Sequence, residues 1–496
     1  MTRYRTSLLA FLVLLASGCA TLCPTKTQIF TGQSEECRRF LHRLDRDVQE
    51  AGVKDNSTCS VSCFPYLRSN RFLSALKNTL KNDAQREYWL QWMQELDVRD
   101  RRKEIRNLPD KVILSQELME GKRPDREELT NRVERCSRES LHQDKAHPDF
   151  HDTLYSFVDV PDQYSFLMRA AGLYPLTSIP VTIITANVRE EFRSWFNADL
   201  ESLPIEGSLV RFSPANGAFF RNIEIEKMIR ESSTNPLNIP RLDGAQQKKF
   251  VAHFAPVFIQ DVAAPYDRFG RIVWEGDGLA IKTDNPVVYW YFSHAFFKGK
   301  PILQVNYVIW YSERAGRRSP WIERGPLDGL TVRISLDTQG KPFMVDVMNN
   351  CGCYHFFSPR RDRVSKVVPK RLRLDPFVPQ WLPKISSGRR LGIRVNSGWH
   401  QVERLLAEAR RSEAVQYQLV PYEDLEMLPT HDCRSESMFD AKGIAKGSER
   451  IEPLILFPMG IPSVGSMRQR GNHAISLTGR AHFDDPHLFD RNFVFK

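Results

Sequence analysis

Beyond its first twenty residues the chain has no run as apolar and uncharged as Leu8 to Leu15, so no segment reads as a permanent membrane-spanning helix, which takes about 20 apolar residues. It also lacks a Walker loop, a GxGxxG turn after a strand, a GxSxG elbow and an HExxH pair. The common nucleotide, serine-hydrolase and metalloprotease templates are therefore unsupported. With 496 residues, 41% of them hydrophobic and 26% charged, the composition excludes a disordered or membrane-filled chain and allows two or three domains with their own cores. Cysteine is not scarce: nine are unusual in a reduced cytosol and ordinary where disulfides persist.

Arg3 and Arg5 precede the run Leu8 to Leu15, which is followed by Ala16-Ser17-Gly18-Cys19. A run this short between a positive start and small residues has the layout of a cleaved export signal. Leu15-Ala16-Ser17-Gly18-Cys19 resembles a bacterial lipobox, in which a cysteine after small residues becomes the acylated first residue. The resemblance implies a signal peptide at 1–18, a lipidated Cys19 carrying palmitate-type acyl chains, and a tether to residue 34. Ala20, where Asp would resemble the inner-membrane retention signal, implies the periplasmic side of the outer membrane. The alternative is an ordinary signal with Cys19 in a disulfide. Farther along, QVNYVIWYSER and NNCGCYHFF resemble uncharacterised proteobacterial lipoproteins, a likeness that supplies no activity.

The formal net charge is +10, and the segment Arg360 to Arg394 holds eleven Lys or Arg against Asp362 and Asp375. Four prolines make it a loop-rich crossing rather than a helix. For a periplasmic protein the nearer polyanions are lipid headgroups or lipopolysaccharide, not nucleic acid. The bland alternative is a solvated surface.

The pattern predicts an α+β protein with a helical region at 35–140, a mixed segment at 141–262 and a strand-rich, antiparallel domain at 263–496 containing the basic loop 360–394. In the first region Phe72, Leu73, Leu76, Trp89, Trp92, Met93 and Leu96 recur at helical intervals and read as core. The mixed-sign run Asp97 to Arg106 reads as the solvated face of the same helix. Cys37 and Cys136 bracket these helices, and Cys59 with Cys63 forms a CxxxC pair, so disulfides are the simplest reading, with a metal or redox dithiol as the alternative. His142, His147 and His151 read as a surface linker, because Pro148 follows His147 directly. In the mixed segment Leu154 to Val160 and Val181 to Thr185 are expected as strands, Val188 to Phe196 and Ala245 to Phe254 as helices, with Asp243 capping the last.

The candidate site lies between Pro286 and Phe357. Val287 to Phe297 and Pro301 to Tyr311 predict a hairpin around Lys298-Gly299-Lys300. Pairing Phe297 with Pro301 sets Trp290, His294, Gln304 and Asn306 on one face, a lining for a ligand because buried polar groups need partners. If the next strand runs on through Cys351-Gly352-Cys353-Tyr354-His355, residues two apart share a side, and Cys351, Cys353 and His355 become soft ligands for zinc or copper, with His294 or Cys433 completing the shell. Disulfide bonding, including to Cys433, and a catalytic or redox thiol are the competing readings. Near the end, His482, Asp484, Asp485 and His487 would suit a metal or an acid/base pair, although Asp485-Pro486 also resembles a helix start; His473 is a further candidate. Val402 to Ala414 is expected as an amphipathic helix. Two functions follow: a lipid-anchored periplasmic binding or envelope-structural protein, or a metal-dependent envelope hydrolase using His294, His355 and the two cysteines.

Overall fold

A computed structural model describes residues 32–114, 125–371, 373–409 and 413–496. The expected signal peptide and Cys19 lie outside the described residues. The chain is α+β, with helices concentrated toward the N-terminus and a large sheet beyond them.

The N-terminal lobe packs α1 (Gly32–Glu50), the hairpin β1 (Cys59–Val61) and β2 (Phe64–Ser69), α2 (Arg71–Leu76), α3 (Asp83–Asn107), α4 (Asp110–Leu114), α5 (Arg126–Lys145) and α6 (Phe150–Phe157). The stripe Phe72, Leu73, Leu76, Trp89, Trp92, Met93 and Leu96 is buried in one apolar cluster, as its spacing predicts. Asn82 caps α3 by accepting from the Gln85 N–H, and Asp125 with Glu128 closes a capping box on α5. Cys37 and Cys136 form a disulfide that ties α1 to α5 across 99 residues. Cys63 is also disulfide-bonded, whereas Cys59 is a free thiol, so the CxxxC pair does not close on itself.

Two expected strands are helical. Leu154 lies in α6 and Val181 to Thr185 lies inside α8 (Tyr174–Asn197), which follows α7 (Phe166–Ala171). Burial of Phe192, Trp195 and Phe196 at helical spacing anchors α8 and overrides the local β-branched preference. Next come β3 (Ser208–Pro214), α9 (Asn222–Ser232), α10 (Gly244–Phe254), capped by Asp243 in a capping box, and β4 (Val257–Val262).

Further strands are β5 (Arg271–Glu275), β6 (Gly278–Lys282), β7 (Val287–Phe297), β8 (Lys300–Arg314), β9 (Gly325–Leu336), β10 (Pro342–Asn349), β11 (Phe356–Pro359), β12 (Val364–Val367), β13 (Arg389–Val395), β14 (Val402–Ala409) and β15 (Val415–Pro421), followed by the short β16 (Leu428–Pro429), β17 (Ser435–Glu436) and β18 (Phe493–Phe495). Ten strands form one sheet in the order β11-β10-β9-β8-β7-β15-β3-β4-β13-β14. Antiparallel pairs dominate, but β7/β15, β15/β3 and β4/β13 are parallel. Because β3 and β4 sit inside this sheet, residue 262 is not a boundary between sheets. Residues 402–409 are strand and not helix: pairing with β13 decides, and the Glu403 carboxylate meets Arg318 and Arg394 while Leu405 enters the core.

One sheet face carries Val288, Trp290, Val305, Tyr307, Val332 and Val345 under the helices α8, α9 and α10. The C-terminal segment, with the short helices α11 (Pro453–Leu456) and α12 (Leu488–Asn492), packs on the other face around Trp310, Met344 and Phe357. Of the basic segment, Arg390 and Arg394 point inward, Arg390 donating to the carbonyls of Ala252, His253 and Ala255; Arg361, Arg371 and Arg373 remain exposed.

Candidate functional site

The β7–β8 hairpin closes on two residues, not three. Lys298 at φ +50° and Gly299 at φ +70° suit the primed turn that matches strand twist, and Phe297 pairs with Lys300. That one-residue difference sets His294 opposite Leu303, Ser293 opposite Gln304 and Tyr291 opposite Asn306. A slip of one residue reverses faces. Trp290 and His294 therefore lie on one side, Gln304 and Asn306 on the other, and the expected four-residue lining does not form. Gln304 and Asn306 are buried in a relay instead: Asn306 Nδ2 donates to Ser293 Oγ (2.9 Å), Ser293 Oγ to Gln304 Oε1 (3.0 Å), and Gln304 Nε2 to Ser335 Oγ (2.9 Å).

The Cys351 to His355 stretch is a turn between β10 and β11, so the alternation expected of a strand does not apply. Gly352 sits at φ +91°, where a Cβ would come within 2.3 Å of the Ala474 carbonyl oxygen, so the turn requires glycine. Cys351 is buried and accepts from the Cys353 N–H at 3.4 Å; both cysteines are free thiols, and so is the exposed Cys433, which excludes the Cys433 disulfide. A hydrogen bond from the Cys353 thiol lowers the Cys351 pKa against burial. His355 turns away to Asp346 (Nε2 to Oδ2, 2.9 Å), a carboxylate also held by Arg333 at 3.0 and 2.5 Å. Among the described residues, ligand atoms of three or more His, Cys, Asp or Glu gather only at Cys37, Cys136 and Glu139, where the two sulfurs are bonded to each other. Cys351, Cys353 and His355 thus do not assemble a zinc or copper site.

What does form is a cavity. β15 pairs with β7 only as far as Trp290, leaving one edge of Tyr291 to Phe297 without a strand partner; the N-terminal lobe closes over it. The space, partly open to solvent, is about 280 Å³. His294 forms part of its wall, stacked on Phe72 at 5.2 Å, edge-on to Trp92 at 5.3 Å, with Nε2 2.8 Å from the Pro240 carbonyl oxygen. Burial pushes its pKa down to about 4, so the ring is neutral and Nε2 donates to that carbonyl. His473, on another wall, is pushed to about 3, first by burial and then by Arg468.

The charged lining is one-sided. Arg71, Arg99, Arg241, Arg333 and Arg470 reach the cavity, against the single carboxyl Asp484. Their other acidic partners lie behind them: Glu95 for Arg241 (2.6 Å), Asp100 for Arg99 (3.0 Å), Asp346 for Arg333, and Glu426 (2.8 Å) and Glu423 (3.0 Å) for Arg470. Arg71 Nε stands 3.3 Å from Asp484 Oδ1, yet neither atom completes a hydrogen bond. Burial pushes Asp484 up to about 6, with Arg71 opposing. A space with donor-rich guanidinium groups, unsatisfied polar atoms and the rings of Phe72, Trp92 and Phe483 can hold a small anion with an apolar part.

Two buried networks carry no motif. Asp97, Asp100, Arg101, Lys103 and Glu104, expected on a solvated face, are buried. Lys103 Nζ meets Asp55 (2.6 Å), Asp100 (3.0 Å) and Glu426 (2.7 Å), and Arg68 meets Asp97 (3.3 Å) and Glu104 (2.7 Å). The signal was there in the i,i+3 and i,i+4 spacing of opposite charges, but their distant partners Asp55 and Glu426 were not. In the turn between β13 and β14, the fully buried His400 lies between Asp328 (Nδ1, 2.8 Å) and Asp267 (Nε2, 3.2 Å), stacked 3.8 Å from Tyr311. Burial alone would lower its pKa; the two carboxylates win and raise it. Arg314 binds Asp328 through two nitrogens and reaches Glu323, which also accepts from Trp399 and Tyr354. Of the C-terminal histidines, His482 pairs with Asp162 (3.1 Å) and His487 stacks on Phe296 (4.8 Å), so His482, Asp484, Asp485 and His487 do not converge.

Comparison with family models, with curated proteins and with solved structures returns no match. Among the described residues no helix is long and apolar enough to cross a membrane.

Proposed function

We propose that this is a lipid-anchored envelope protein, held through Cys19 on the periplasmic side of the outer membrane, that binds a small anionic ligand in the cavity between its N-terminal lobe and β7. The observation that carries the binding reading is the lining of five arginines against one carboxyl, with the counter-acids set behind the guanidinium groups. Aromatic walls favour a ligand whose anionic group is joined to an apolar body. The anchor rests on the resemblance of residues 15–19 to a lipobox, and the exposed arginines of the basic segment suit an anionic leaflet.

The test is calorimetric titration with a panel of aryl and alkyl carboxylates and phosphates. Ser293→Phe, which fills the cavity from β7, abolishes binding that the wild type displays; a panel without any binder, or binding unchanged by the filling, removes the reading. The anchor is tested apart, by the membrane fractionation of Cys19→Ala: retention of the variant in the membrane defeats it. A metal-dependent hydrolase would need His294, His355 and the cysteines at one centre, and no such group supports it.

A further inference from the structure

The first half of α8 is inside out. From Ala170 to Val188 the sequence has no charged residue. Leu173, Leu176, Ile179, Ile183 and Ile184 recur at three- and four-residue intervals, the signature of a buried stripe, yet each is more than half exposed. The half-buried Thr177, Thr182 and Thr185 bond their own helix through carbonyls four or five residues back, so nothing polar requires this orientation. The stripe continues onto neighbouring elements: Phe166 of α7 is 72% and Leu454 of α11 81% exposed. These pieces are fixed together, because a Cβ on Gly172 would overlap Pro458 at 2.5 Å and Arg169 Nε donates to the Met459 carbonyl at 2.9 Å. An apolar surface of this extent marks a docking face.

The basic segment flanks it. Gly479 donates to the Tyr174 hydroxyl at the start of α8 (2.6 Å), and the Arg373 side chain lies against Gly479; farther along α8, Arg189 donates to the Asp375 carbonyl (2.7 Å). Arg371 and Arg373 are exposed, and Arg373 meets the start of the stripe through Gly479. We infer that the outward stripe of α7, the first half of α8 and α11 lies in the headgroup and acyl boundary of an anionic bilayer, with the basic segment on the phosphates. This deepens the membrane reading above and rests on it for the presence of a bilayer. The dozen residues between Cys19 and Gly32 reach at most about 40 Å, enough to let the fold settle on the surface that holds the anchor. Among the described residues no helix is long and apolar enough to cross, so the stripe lies in the interface plane. A second copy fits less well: a two-fold contact across the stripe would set the same arginines against each other.

The experiment uses the chain from Ala20 onward, which contains every described residue and no anchor, so a failed lipobox reading leaves it untouched. It is floated with vesicles of phosphatidylethanolamine and phosphatidylglycerol, or of phosphatidylcholine alone. The expected result is co-flotation with the anionic vesicles, weaker with phosphatidylcholine, and reduced at least about tenfold by Ile179→Asp/Ile183→Asp and separately by Leu454→Asp, all exposed sites. Circular dichroism and melting temperature report that the variants keep their fold. No flotation, flotation unchanged by both variants, or equal binding to neutral vesicles overturns the proposal. A stable dimer in sedimentation that either variant dissociates also overturns it, in favour of a second copy.

Discussion

Lys103→Met keeps the length of the side chain and removes one ammonium from the seam between the N-terminal lobe and the C-terminal segment. Its Nζ holds Asp55, Asp100 and Glu426 within 3.0 Å, and the side chain is 3% exposed. Arg470 and Arg99 still serve Glu426 and Asp100, but the Asp55 carboxylate keeps only Gln469 and Ser57 as partners. Breaking a buried ion pair by deleting one member costs about 3–5 kcal/mol. At about 2.1 cal/mol/K per residue, the 496-residue chain has an unfolding entropy of about 1 kcal/mol/K, so a single cooperative unit loses about 3–5 °C. The lobe of residues 32–157 alone has roughly a quarter of that entropy, and if it melts separately its transition falls by about 12–20 °C. Scanning calorimetry distinguishes the two. If no transition moves by more than about 1 °C, the seam is not held by this charge and the reasoning fails.

Asp484→Asn tests the perturbed carboxyl. With a folded pKa of about 6 against an ordinary value near 4, the native state binds the extra proton between those limits, so Asp484 destabilises as pH rises through this window and does so fully above about pH 6, by roughly 2–3 kcal/mol. The variant therefore matches the wild type in melting temperature near pH 4 and exceeds it at pH 7; an equal difference at both refutes the assignment. Replacing Cys37 and Cys136 by Ser opens a loop of 99 residues and lowers stability by about 2–5 kcal/mol, read as a loss in melting temperature that reductant reproduces in the wild type. His400→Phe leaves Asp328 and Asp267 buried without the imidazole hydrogen bonds between them and costs about 1–3 kcal/mol, while His400→Gln, which keeps one donor, costs less; denaturant midpoints rank the two.

Periodicity made most of the skeleton legible: the aromatic stripe of α3, the Asp243 cap and the existence of the β7–β8 hairpin follow from local rules that the structure obeys. The candidate site was less legible because it depended on register. The Lys298-Gly299 turn is one residue tighter than Lys298-Gly299-Lys300, and that unit moved Gln304 and Asn306 across the sheet from His294. The strand feeding Cys351 stops at Asn349, where a glycine held at positive φ bends the chain, and two-residue alternation ceases to place Cys353 and His355. Residues 402–409 have helix-forming composition, but Arg318 and Arg394 wait for Glu403 on neighbouring elements. The run Asp97 to Arg106 looked solvated because its partners lie outside the helix, Asp55 and Arg68 before it and Glu426 more than 300 residues after Lys103.

The cavity and the seam are one mechanical feature. Arg470 lines the cavity with one face of its guanidinium while Nε and Nη2 are bonded to Glu426, the carboxylate that Lys103 reaches from the lobe. His294 is likewise shared, belonging to β7 and stacking on Phe72 of α2. A ligand anion drawn to Arg470 and Arg333 therefore binds only where the lobe is docked, and binding must raise the free energy of lobe separation by RT ln(1 + [L]/Kd), about 2.7 kcal/mol at a hundredfold excess over Kd. A saturating binder from the titration panel should thus recover much of the melting temperature lost in Lys103→Met, and recover more below pH 6, where Asp484 is neutral and ceases to repel an anion. Binding that leaves the lobe transition of Lys103→Met unmoved would mean that the ligand sits elsewhere.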